Sequence, residues 1–125
     1  MLKPIPSAAT IAAMFTTYNV KPTQECGYGR DYDTLQECGC ALTVLAMESG
    51  FDFAPLRSAF ARGCAGSERN AMYQHVYQVF GQEKCEGMMM GFDTSQEVGF
   101  NPPPSSPSFH AGYAIGVQVA ELVRK

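Results

Sequence analysis

The stretch CGCALTVLAM, residues 38 to 47, carries no charged side chain at any position. A helix of that composition offers no face to water and belongs inside a protein. Thr34 followed by Glu37 makes a capping-box pattern ahead of it, and Gly50 is a residue suited to ending it. The spacing therefore predicts a buried central helix over about 34–49, with the other elements packed around it.

Outward from that centre, Ser7 is placed to cap a helix running to about Tyr18, with Ile11, Met14, Phe15 and Tyr18 on its inner side. Between the two lies NVKPTQECGYGRDYD, residues 19–33, which reads as a long loop of the kind that often carries function. On the other side, FDFAPLRSAFARG (51–63) predicts a short helix with Pro55 in its first turn. Asn70 is placed to cap a further helix that Gly81 ends, with Met72, Val76, Val79 and Phe80 inward and Tyr73 and Tyr77 beside them. NPPPSSP (101–107) cannot continue a helix. Ser106 with Pro107 then starts a last helix that reaches almost to Lys125. No strand-like alternation lasts more than a few residues. The expected fold is all-α, a compact bundle of about five helices forming one domain over 1–125.

Composition narrows the function. The chain has 12 acidic and 9 basic residues and a net charge of −3, a balance that argues against nucleic acid. Charged residues make up 17% of the 125 residues, against about 25% in an ordinary globular protein. So few charges imply a surface partly covered by a partner or by a second copy. The N-terminal MLKPIPSAATIAAMF lacks the charged and continuous apolar regions of a secretory signal. No run approaches the ~20 apolar residues that span a bilayer. The expectation is a soluble, cytoplasmic protein with no membrane association, whose five cysteines are reduced.

The most chemically pointed stretch is KCEGMMMGFD, residues 84–93. On a helix, Cys85, Met88, Met89 and Phe92 fall at i, i+3, i+4 and i+7, a single apolar stripe. A thiolate and two thioethers on one face would suit copper(I). The same residues equally make a packing stripe, in which methionine fills irregular gaps, and the perfect fit to that stripe favours packing. For zinc, Cys26, Cys38, Cys40 and Cys64 are the candidates, with His75 or His110 to complete a set. Their C-x11-C-x-C spacing lacks the paired short knuckles of a zinc site. A reactive thiol at Cys38, near the start of the central helix, or at Cys26 in the long loop would need one of only two histidines as base. No nucleophile elbow, phosphate loop, dinucleotide fingerprint or zinc-protease motif is present, so no catalytic residue and no cofactor are assigned. Residues 70–92 have the outline of helix, glycine, helix, as in DNA-binding proteins, but the second helix carries Glu83, Glu86, Asp93 and Glu97 against Lys84. A phosphate-lined groove would repel it.

Two smooth stripes remain. Gly87 and Gly91 are four apart, and Gly112, Gly116 and Ala120 repeat the same spacing on the last helix. Such stripes let another backbone come close without specifying whose it is. The segments CALTVLA (40–46), GMMMGFD (87–93) and AGYAIG (111–116), the last following a proline-containing linker, together resemble a group of small uncharacterised bacterial proteins. That group shares a cysteine-containing Ala/Leu helix, a GF-x-x-GFD-like run and a GY-x-x-G-like segment. The resemblance covers about the C-terminal two-thirds in outline and implies a compact helical domain without a known activity. The expected function is association, as a homodimer or with a protein partner, through a glycine-lined helix interface. The alternative is a binding protein for a small molecule or for zinc or copper, built on the Cys26 loop with Cys38 and Cys40.

Overall fold

The computed structural model describes residues 1–23, 28–31, 33–63, 65–94 and 106–124, with Thr94 described in its backbone alone. In chain order the elements are α1 (Ala8–Thr17), β1 (Lys21–Pro22), β2 (Gly29–Arg30), β3 (Glu37–Gly39), α2 (Ala41–Glu48), α3 (Ala54–Ala61), α4 (Gly66–Phe80), α5 (Gln82–Thr94) and α6 (Pro107–Val123). The fold is mostly helical, roughly the expected bundle, with six helices where about five were expected and a small sheet that was not, among the described residues.

α2 sits at the centre. Ala41 through Ala46 are all buried, as the uncharged sequence requires. Ile11, Met14 and Phe15 of α1 join the same core, with Leu56 of α3 and Met72, Val76 and Phe80 of α4. Cys85, Met88 and Phe92 of α5 and Val119 and Ala120 of α6 complete it. The rings of Phe15 and Phe92 stack at 6.0 Å.

Several helix ends fall where the sequence puts them. The Ser7 hydroxyl accepts the Thr10 N–H at 3.2 Å, and that of Ser106 accepts the Phe109 N–H at 3.2 Å. Gly50 follows α2 at φ +86°, a left-handed conformation that glycine adopts without a steric penalty. Two starts differ. α4 begins at Gly66, four residues ahead of Asn70, which lies inside the helix.

The larger correction is the start of the central helix, which opens at Ala41 and not near Thr34. The Asp31 carboxylate accepts the N–H groups of Asp33 and Thr34 at 2.8 and 3.2 Å, the hydrogen bonds of an Asx-type turn. Leu35 follows in the left-handed region at φ +61°. The Glu37 carboxylate, which a capping box would bring to a backbone N–H, is taken by Arg57 and Tyr28. Residues 37–39 are thereby free to form the central strand of a three-stranded sheet in the order β1-β3-β2. β1 runs parallel to β3, with Lys21 opposite Cys38, and β2 runs antiparallel, with Arg30 opposite Glu37.

Candidate functional site

The two glycine stripes meet each other. A Cβ built on Gly87 would lie 2.9 Å from the Phe109 carbonyl carbon, and one on Gly91 would lie 3.0 Å from that of Tyr113. In the opposite direction, a Cβ on Gly112 would lie 2.8 Å from the Lys84 carbonyl carbon, and one on Gly116 would lie 2.8 Å from the Phe92 nitrogen. Each glycine hydrogen that replaces a Cβ is aimed at backbone of the other helix, the geometry of a Cα–H···O contact. Contacts advance together along both helices, so α5 and α6 are parallel. Their N-terminal ends therefore adjoin, and the Ser106 hydroxyl donates to the Glu83 carboxylate between them. A carboxylate there faces the positive ends of two helix dipoles. Arg124 balances the other end, donating to the Phe92 carbonyl at 3.4 Å. The stripes thus join two helices of one chain. Ala120, the last member, is buried in the core, and α6 also packs on α1.

The same packing bears on the helix-turn-helix outline. α4, Gly81 and α5 do follow one another closely, but α6 covers one face of α5 and the core covers another.

The described thiols, Cys38, Cys40 and Cys85, are buried. Cys85 and Met88 are fully buried with Phe92, and Met89 packs at the edge of the core. Burial, followed by the charge of Glu86, pushes the Cys85 thiol up to about 12. Cys38 lies in β3, not on a helix, and Cys40 occupies the cap position of α2 with its side chain buried. Burial, with the Asp93 charge added, pushes Cys40 up to about 11, the reverse of an activated thiolate. Cys26 and Cys64 lie outside the described residues. Among the described residues, no group of three His, Cys, Asp or Glu side chains is placed to hold a metal ion.

Among the described residues, neither histidine is paired with a thiol. His110 is exposed on α6. His75 Nε2 lies 3.0 Å from Ser49 Oγ, whose hydroxyl donates to the Leu45 carbonyl at 2.7 Å. With the serine proton committed to a carbonyl, the imidazole is the donor, and the pair ties α4 to the end of α2.

Two surface features stand out. The first is a groove of about 490 Å³ floored by Phe15, Val20 and Val123 and bordered by Leu122, Pro22 and Gln36. A second hollow of about 280 Å³ adjoins it, sharing Lys21, Pro22 and Val123. Leu122 is 44% exposed beside this groove, and Leu35, next in sequence to Gln36, is 67% exposed. The second feature surrounds Tyr28, whose side chain is fully buried. Its ring lies 5.9 Å from that of Phe53 and 5.6 Å, edge-on, from that of Phe60. Its hydroxyl donates to Glu37 at 2.5 Å, and Arg57 grips the same carboxylate through two N–H groups at 2.8 and 3.0 Å. Burial alone would raise the Glu37 carboxyl. The hydrogen bonds from Arg57 and Tyr28, with the positive fields of Arg57 and Arg30, outweigh it and hold the group below its ordinary value.

Comparison of the chain with protein-family models, curated proteins and solved structures finds no match. The sequence reading missed both surface features. For the groove, the readable signal was Leu35, an apolar residue inside the polar run DTLQE. For the Tyr28 group it was the same Glu37 that reads as half of a capping box.

Proposed function

We propose that the protein is a helical association module that pairs with a second copy of itself through the groove beside α1, β1 and the last turn of α6. The observation that carries this reading is Leu122, a large apolar side chain left in water in the lining of the groove, with Leu35 exposed next in sequence to the lining residue Gln36. Leu35 also holds a left-handed backbone that glycine or asparagine would adopt more easily. A residue that is both strained and solvent-exposed has no folding role to justify it. The low share of charged residues supports the same reading, since a covered surface needs fewer charges. Association is by side chains rather than by adding strands. β1 lies at the sheet edge, but Pro22 has no N–H with which to extend the ladder.

Sedimentation equilibrium over micromolar to submillimolar concentrations tests this. The wild-type chain should approach twice its monomer mass, and Leu122→Glu should remain a monomer with an unchanged melting temperature. A wild-type monomer throughout the range, or a dimer indifferent to Leu122→Glu, overturns the proposal.

A further inference from the structure

Three guanidinium groups gather around Tyr28 with one carboxylate among them. Arg57 is bound to Glu37 through its fork and lies over the Phe53 ring at 5.4 Å. Arg69 donates to the Tyr28 carbonyl at 3.1 Å and lies over the Phe60 ring at 5.5 Å. Arg30 stands directly opposite Glu37 across the β2–β3 ladder, the position in which a cation ordinarily takes its partner. Here that carboxylate already accepts three hydrogen bonds, two from Arg57 and one from Tyr28. Arg30 shares a side-chain hydrogen bond with Tyr28 and its charge acts on Glu37, yet its Nε–H is buried and meets no acceptor among the described residues. A buried donor left without a partner costs about 1–3 kcal/mol. Among the described residues the group sets three guanidinium groups against the one Glu37 carboxylate.

We infer that Arg30 is the centre of a binding site for a small oxyanion, with Arg57 and Arg69 supplying the surrounding positive field. The chemistry called for is a group presenting two oxygens to one edge of a guanidinium, which phosphate, sulfate and a carboxylate share. Chloride has no second atom for the fork. The site is independent of the association groove and stands or falls apart from it.

Thermal unfolding of the full chain tests the assignment, with inorganic phosphate, acetate or chloride exchanged at fixed ionic strength so that general screening is constant. An anion that binds only the folded chain raises the melting temperature with a saturating dependence on its concentration. The expected result is a rise of several degrees in phosphate relative to chloride for the wild type and for Arg62→Gln, an exposed arginine outside the group. Arg30→Gln should show no rise. Acetate matching phosphate would identify a carboxylate-type site, and acetate matching chloride a tetrahedral-oxyanion site. No rise in either anion, or an equal rise in Arg30→Gln, overturns the inference. If Arg30→Gln does not fold, Arg30→Lys keeps the charge while removing the Nε–H and should lose the response. Calorimetric titration of the wild type with phosphate must then also show saturable heat, and its absence overturns the site.

Discussion

Gly112 of α6 stands directly against the backbone of Lys84 of α5, with no room between them for one methyl group. The opposing atoms are peptide carbonyl, not the end of a flexible side chain, so the strain cannot be relieved by a rotamer change. Gly112→Ala should therefore push the two helices apart and destabilise the fold by ~1–3 kcal/mol or more. Gly66, in the first turn of α4, is the matching control, because a Cβ there meets nothing within 4 Å. Gly66→Ala should be neutral or stabilise by roughly 0.4–1 kcal/mol. Paired urea melts would read both, and equal effects would refute the close packing of α5 and α6.

The spacing of these glycines was legible because a smooth stripe announces close approach. That the stripes meet each other was not, since nothing local in Gly87–Gly91 or Gly112–Gly116 says which backbone will arrive. Helix ends at Ser7, Gly50 and Ser106 were legible for a related reason, as each acts on its own neighbours. The start of α2 was misread because a local rule met a stronger competitor. Asp31 holds the N–H groups of Asp33 and Thr34, and Arg57, 20 positions away in sequence, takes Glu37 out of the cap. Tyr28 and Arg69 are 41 residues apart. A polar group assembled over such separations leaves no periodic trace in the sequence.

The methionine run offers a second test, one that separates packing from soft-metal binding. Met88 is fully buried in the core, and Met89 packs at the core's edge. Leucine has nearly the same volume as methionine but no thioether sulfur. Met88→Leu should cost less than ~1.5 kcal/mol, as volume-conserving core changes do. Copper(I) titration of the reduced protein should likewise give the same result before and after the substitution. A metal-dependent rise in melting temperature that Met88→Leu abolishes would restore the thioether-ligand reading.

The turn that displaces the start of α2 should also be visible as acid sensitivity. Asp31 accepts a hydrogen bond and salt bridge from Lys21 at 2.8 Å, together with the N–H groups of Asp33 and Thr34. The Lys21 hydrogen bond first, then the two backbone donors, hold its carboxyl down to about 2. In the unfolded chain an aspartate titrates near 3.9. The folded state therefore binds fewer protons than the unfolded state in the interval between them, and stability falls as the pH is lowered through it. The contribution is fully present above about pH 5 and is gone once the pH passes below the folded value. Asp31→Asn keeps an oxygen to accept the turn's N–H groups and removes only the charge. The variant should melt below the wild type at pH 6, and the gap should close as the pH approaches 2. A gap that stays constant over that range would mean that the Asp31 charge plays no part in holding the turn.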